Sequence, residues 1–323
     1  MTEQKLRNVV IIGFEGNTAL DLVGAADTFH AASYLADPRP YRTIIASVDG
    51  RGFRSNLGLQ VIPECALDEI DAIDTLILPG GAGLRNPDVG EPIAEWIRAN
   101  HGRIRRVTSV CTGLFGLAAT GLLDGRRAAT HWRFAAQLAS LHPQIEIDPD
   151  AIFVRDGKFI TSAGVTAGID LALALIEEDL GPAAALAVAR ELVVFVKRPG
   201  GQRQFSDILR FEAANAPRLR DFGHYIQTHL DADLGVEELA ARANLSVRHF
   251  TRLFRQTLGV PPGEFVEQMR LGEAVRRLTG TDAAVDRVAY SIGFRSADAF
   301  ARAFRRQFGV TPSDYRDRFS SVA

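Results

Sequence analysis

The sequence predicts a chain of two domains: an α/β domain over residues 1–197, a parallel sheet sandwiched between helices, and an all-α domain of two helix-turn-helix units over 224–323. Three observations carry that expectation. Strand-length apolar runs alternate with helical ones through the first two thirds. One segment near the end occurs twice. Between them, 198–223 is broken by Pro199, Gly200, Gly201 and Pro217 and reads as a linker. The length of 323 residues fits about two domains of roughly 100 to 200 residues each.

In chain order the α/β elements are "NVVIIG" from Asn8, a helix through Leu20 to Ala32, and "YRTIIAS" from Tyr41. "TLILPGG" from Thr75, a helix around Ile93 to Ala99, and "RVTSV" from Arg106 continue the alternation. This is the pattern of a flavodoxin-like sheet with helices on both faces, and in such sheets ligands collect beyond the carboxyl ends of the strands. Asp21 follows the first strand, Gly80 and Gly81 follow "LILP", and Cys111 follows "TSV".

Composition limits the function classes. Hydrophobic residues at 46% and charged residues at 24% are ordinary globular values. The longest apolar runs, such as "LALALI" at Leu171 to Ile176, are far shorter than the roughly 20 residues a membrane helix needs. The first residues, "MTEQKLRNVVIIGF", lack a signal-peptide pattern, so a cytoplasmic protein without membrane contact is expected. Cys65 and Cys111 lie in no metal-ligand spacing; neither a metal nor a cofactor is expected. Net charge is −2, yet residues 224 to 323 hold 14 Arg and no Lys against 12 acidic residues, leaving 23 basic and 27 acidic ahead of them. The asymmetry is small, so the residue pattern has to argue for a partner.

That pattern is the repeat. Val236, Leu239, Ala240 and Leu245 match Val285, Val288, Ala289 and Phe294 at an offset of 49. After Arg295, Ser246, Phe250, Phe254, Gly259, Pro262 and Phe265 match Ser296, Phe300, Phe304, Gly309, Pro312 and Tyr315 at 50. Each copy predicts a short helix, a turn, and a second helix opened by a Ser N-cap and closed by Gly. Phe250, Leu253 and Phe254 in one copy and Phe300, Ala303 and Phe304 in the other form buried stripes at helical spacing. Arg248, Thr251, Arg252 and Arg255, then Asp298, Ala301, Arg302 and Arg305, point away. One Arg-rich face is ordinarily just solvated; two, in duplicated units, suit the major groove, where an Arg fork bonds guanine O6 and N7.

Together "AARANLSVRHFTRLFRQTLGVPPGEF", "RLGEAVRRL" and "VAYSIGFRSADAFARAFRRQFGVTPSDYR" resemble the AraC/XylS family of transcription regulators over about the last hundred residues. The resemblance implies two helix-turn-helix units joined by a long helix, here Pro262 to Leu278, set in successive major grooves of double-stranded DNA. It makes Arg248, Thr251 and Arg252 the base readers of unit one, and Asp298 and Arg302 those of unit two. Ala297 and Ala299 are small where longer readers often stand, which implies fewer bases read by unit two.

The turn Cys111, Thr112, Gly113 between a strand and a helix has the layout of a nucleophile elbow. A helix N-terminus favours thiolate and would lower the Cys111 pKa. The N–H groups of Gly81 and Thr112 are placed to line an oxyanion or carboxylate pocket, and His131 is the nearest base in sequence. Each residue also has a plain structural reading: Cys111 as a small buried hydrophobe, Asp21 as a helix cap, His131 as packing beside Trp132, Cys65 as core.

The run "VIIGFEGNTALDLVGAADTF … LILPGGAG … VTSVCTGLFGLAATGLLDGRRAATHW … FITSAGVTAGIDLALALI" resembles the ThiJ/PfpI group of class I glutamine amidotransferase-like domains over Asn8 to Lys197. In catalytic relatives an acid near the first strand contacts the elbow cysteine, and Asp21 takes that place, as in isonitrile hydratases. Ala25 departs from the proline common there. Joined to an AraC-type module, the domain resembles that of GlxA-like regulators, which implies a small-metabolite sensor lined by Asp21, Gly80, Gly81, Cys111, Thr112 and His131. The competing implication is a hydratase or amidase using Cys111, Asp21 and His131. A homodimer built by residues 1–197 is expected, since symmetric pairs are the commonest closed assembly.

Overall fold

The computed structural model describes residues 6–194, 219, 222–308 and 310–319. The chain divides into two compact units, Met1–Val196 and Lys197–Ala323. The linker reading over 198–223 lies outside the described residues except at 219, 222 and 223, and so does the closing Gly309.

The first unit runs β1 (Arg7–Ile12), α1 (Ala19–Tyr34), β2 (Tyr41–Ser47), β3 (Phe53–Arg54), β4 (Gln60–Val61), β5 (Cys65–Ala66) and β6 (Thr75–Leu78). It continues α2 (Pro87–Asn100), β7 (Arg106–Val110), α3 (Gly113–Ala118), β8 (Arg127–Ala129), α4 (Trp132–Leu141) and β9 (Glu146–Asp148). It ends β10 (Phe153–Asp156), β11 (Phe159–Ser162), α5 (Ala167–Leu180) and α6 (Pro182–Glu191). Seven strands form one sheet in the order β10-β11-β7-β6-β1-β2-β5. Apolar residues fill both of its faces. Val10 and Ile12 of β1 pack with Trp96, Ile97, Leu114 and Leu117 on one side. Val9 and Ile11 pack with Leu22, Phe29, Leu171 and Leu175 on the other. Burial of both faces is why the strands read as continuous apolar runs.

The sheet is parallel except at one edge, where β10 pairs antiparallel with β11. The expected parallel sheet is present, and its edge strand departs from it for a local reason. Only Gly157 and Lys158 separate the two strands, with Gly157 at φ 60. A two-residue loop can return the chain only antiparallel, and positive φ at its first residue suits a type II′ turn.

The second unit holds α7 (Phe222–Thr228), α8 (Val236–Arg242), α9 (Val247–Leu258), α10 (Pro262–Gly280), α11 (Val285–Ser291), α12 (Ala297–Phe308) and α13 (Pro312–Phe319). Its two cores share α10. Phe265, Val266 and Met269 join Phe250 and Phe254 in one. Leu271, Ala274 and Leu278 join Phe300 and Phe304 in the other. The duplicated serines do cap their helices: Ser246 Oγ accepts from His249 N at 3.3 Å, and Ser296 Oγ from Ala299 N at 3.2 Å. Gly259 closes α9 in the left-handed region at φ 82.

Candidate ligand site and nucleic-acid interface

β7, β6 and β1 are neighbours in the sheet, so the loops after their carboxyl ends meet. Cys111 follows β7 with φ 57, a conformation that costs a non-glycine residue on the order of 1–3 kcal/mol and is characteristic of functional turns. The surroundings hold it there. Cys111 N donates to Ser162 O at 3.1 Å and Ala163 O at 2.9 Å, and Thr130 Oγ1 donates to Cys111 O at 2.8 Å. Across the gap, Gly80 N donates to Asp21 Oδ2 at 2.9 Å and Thr18 N donates to Gly80 O at 2.7 Å. A Cβ at Gly80 would stand 2.5 Å from Asp21 Oδ2 and 2.9 Å from Cys111 Cβ. Glycine is what lets carboxyl and thiol share this corner. Gly113 has the same role toward the strand, since a Cβ there would strike Leu78 O.

Electrostatics reverses one expectation. Burial pushes the Cys111 thiol up to about 11, and the Asp21 charge adds to the rise. Hydrogen bonds to the sulfur from the Val165 and Thr112 backbone and the Thr112 hydroxyl pull the other way and lose. The expected thiolate-favouring helix is α3, only six residues long, too short a dipole to outweigh desolvation. Asp21, 1% exposed, is itself pushed up to about 6 by burial, against the lowering effect of the Gly80 N–H and the Cys111 thiol.

Other expectations are corrected by partners. Asp21 is no helix cap: it lies inside α1 and its carboxyl is taken by Gly80. The Gly81 N–H is not free for an oxyanion, because it donates to Thr112 Oγ1 at 2.9 Å, while the Thr112 N–H faces the thiol. His131 caps α4, its Nδ1 accepting from Arg133 N at 3.2 Å, and stacks on Trp132. Burial, then Arg133, lowers its pKa. Cys65 is half-buried at the margin of one core.

Asn17 was not foreseen. It is fully buried, bridges Gly81 and Ser55 through its backbone, and is covered by the β3–β4 hairpin, with Asn56 N donating to Asn17 O at 2.8 Å. Both side-chain polar atoms of Asn17, and Oδ1 of Asp21, are buried without a hydrogen-bond partner. The only sequence signal was its place just before the helix, where Asn ordinarily caps.

In the second unit Arg248, Arg252, Arg255 and Gln256 are exposed and Thr251 half-exposed, and all five line one concave surface on α9. On α12 Asp298, Arg302 and Arg305 are exposed, with Ala297 and Ala299 half-exposed between buried Phe300 and the turn. Arg306 is committed elsewhere, paired with Glu267 of α10 at 2.6 Å. Two capped helices therefore each present arginines outward from an aromatic core.

Fold and site together define a helix-turn-helix protein that carries an α/β domain with an elbow cysteine. A model of the DJ-1/PfpI family matches residues 7–178, and a helix-turn-helix domain model matches 239–318. The chain belongs to the AraC-family helix-turn-helix transcription regulators that carry an N-terminal DJ-1/PfpI domain. It is 30% identical to the HTH-type transcriptional regulator GbdR of Pseudomonas aeruginosa over 96% of this chain and 85% of that protein. It is also 30% identical to the HTH-type transcriptional regulator GlxA of Rhizobium meliloti over 98% of each. The isonitrile hydratase of Pseudomonas putida is 41% identical, but over 39% of this chain and 54% of that enzyme. Similarity along the whole chain is thus to regulators, and similarity to an enzyme is partial. Among the described residues no helix is long and apolar enough to cross a membrane.

Proposed function

We propose that the DJ-1/PfpI domain senses a small metabolite at the Asp21–Cys111 corner, without turning it over, and that the bound state governs how α9 and α12 engage duplex DNA. The carrying observation is that Asp21 and Cys111 are buried together and the Asp21 charge opposes ionisation of the thiol. With its pKa held well above neutral by burial and by the Asp21 charge, the thiol is protonated at neutral pH. A nucleophilic cysteine needs a base, and the Nδ1 of His131 is spent on Arg133. Buried polar groups without partners call for an explanation, and Asp21 Oδ1 and the Asn17 amide are atoms a ligand would satisfy. Gly80, Gly81, Thr112 and His131 complete the ligand surroundings in this reading. Arg248, Thr251 and Arg252, with Asp298 and Arg302, read the bases, and residues 1–197 pair two chains.

A second reading, a hydratase or amidase using Cys111 and Asp21, is favoured by the elbow itself: a cysteine at φ 57 beside an acid. One experiment separates the two. Purified wild type and Cys111→Ser are assayed for turnover of candidate amides and isonitriles, alongside metabolite-dependent reporter expression. The sensor reading expects no turnover and a shifted reporter response in the variant. Turnover in wild type that Cys111→Ser abolishes while reporter control stays intact would sink it and promote the enzyme.

A further inference from the structure

A side chain of α10 links the two helix-turn-helix units. α10 runs through both cores, and its contributions divide between Met269 and Leu271. Arg270 stands at that division, half-buried. Its Nε donates to Leu230 O at 3.0 Å and its Nη2 to Ala232 O at 2.9 Å, both in the connection between α7 and α8 that leads into the first helix-turn-helix. Gly293, in the turn of the second unit at φ 86, packs on the same spot: a Cβ there would strike Leu230 O and stand 2.5 Å from Arg270 Nη2. The loop before the first helix-turn-helix, the shared helix and the turn of the second helix-turn-helix therefore close on one guanidinium. A second crosspiece, Arg306 to Glu267, ties α12 to the N-terminal half of α10. Arg277 adds a third within the second unit, donating to Ser291 O at 3.1 Å and Ser291 Oγ at 2.6 Å.

We propose that Arg270, seated against Gly293, is a positioning residue that fixes the phase between the two reading helices, so that the protein reads the spacing of its two DNA sub-sites as well as their bases. A planar fork can hold two carbonyls at once, whereas an ammonium is a point charge on a flexible stem. With the fork in place, α9 and α12 cannot shift independently. Moving one sub-site by a base pair displaces it about 3.4 Å along the duplex and about a tenth of a turn around it. A braced pair of helices has no cheap way to follow. Arg270 itself touches no base in this scheme. The inference rests on DNA reading by α9 and α12, and the test examines that first.

Duplexes are selected from a random pool by the full-length wild type, and the two protected clusters are mapped. Affinities are then measured for the selected duplex, for duplexes with one base pair added or removed between the clusters, and for a duplex bearing only the first cluster. Wild type should lose about tenfold or more on the respaced duplexes, the size of a mismatched base pair. Arg270→Met keeps the apolar stem and removes the fork. It should bind the single-cluster duplex as wild type does, while its penalty for respacing shrinks to within about threefold. Arg270→Lys, which can serve one carbonyl, should fall between. Gly293→Ala, which forces the contact apart from the other side, should repeat the flattened spacing profile. A full respacing penalty in Arg270→Met would overturn the proposal. So would loss of single-cluster binding in Arg270→Met and Gly293→Ala alike, since the contact would then be a requirement for folding only. A wild type that selects no duplex would remove the DNA reading and this inference with it.

Discussion

Asp21 carries the sharpest prediction at the scale of single residues. Its carboxyl is raised from the usual 3.8 to about 6, so the folded chain holds a proton that the unfolded chain has released. The resulting stabilisation is complete below pH about 4 and is lost as pH rises through about 6. Asp21→Asn has no such group. Between pH 4 and pH 7 the wild type should therefore lose up to about 3 kcal/mol relative to the variant, read from denaturant unfolding of both at several pH values. A difference that does not change with pH would mean that Asp21 ionises as an exposed carboxyl does. Cys111 was legible in the sequence because it stands directly after a strand-like run, and Asp21 because it follows the first strand where the resemblance puts an acid. The direction of the Cys111 shift was not, because a helix start can be read from residues while desolvation cannot. Asn17 was missed for a related reason. Only the hairpin folding back over it makes its amide buried and unpaired.

At the scale of elements, the repeat gave two helices, their serine caps and their outward arginines, all from spacing alone. Helical periodicity fixes which residues share a face, and aromatic residues on the inward face settle which side is dry. Arg252→Ala and Arg302→Ala should each relax specificity at a different base-pair cluster, about one helical turn apart, at roughly 1 to 3 kcal/mol if the contact is bidentate. Footprints identical to wild type in both variants would show that the reading face is misassigned. Arg306 illustrates what periodicity leaves out. It sits next to Arg305 in the same last turn, yet its partner is Glu267, 39 residues earlier. The antiparallel β10 is a similar case: no strand was read there, and its direction of pairing follows from how few residues join it to β11.

At the scale of the whole molecule, each unit has its own cores, and this is the basis for treating residues 1–197 as a separable body. We propose that this body pairs two chains. A fragment of residues 1–197 should sediment as a dimer at micromolar concentration and melt cooperatively; a monomer would count against pairing through this domain. The far end of the sheet from the ligand corner is tied by a buried ion pair. Arg106, 2% exposed, donates from Nη2 to Asp179 Oδ2 at 2.6 Å and from Nε to Thr75 Oγ1 at 3.0 Å. Tyr41 reaches the same carboxylate at 2.9 Å. None of these partners is near another in sequence.

By itself the sequence determined the two domain classes, the alternation of four main strands with helices, the duplicated module and the residues that follow those strands, because periodicity, caps and turns are local properties of the chain. Tertiary structure alone decided which of those residues lost their water. It committed the Gly81 N–H and the His131 Nδ1 to neighbours, raised Asp21 and Cys111 together, and brought Leu230, Arg270 and Gly293 to one point. Burial, pairing and contact depend on segments far apart along the chain, and only the packed fold brings them together.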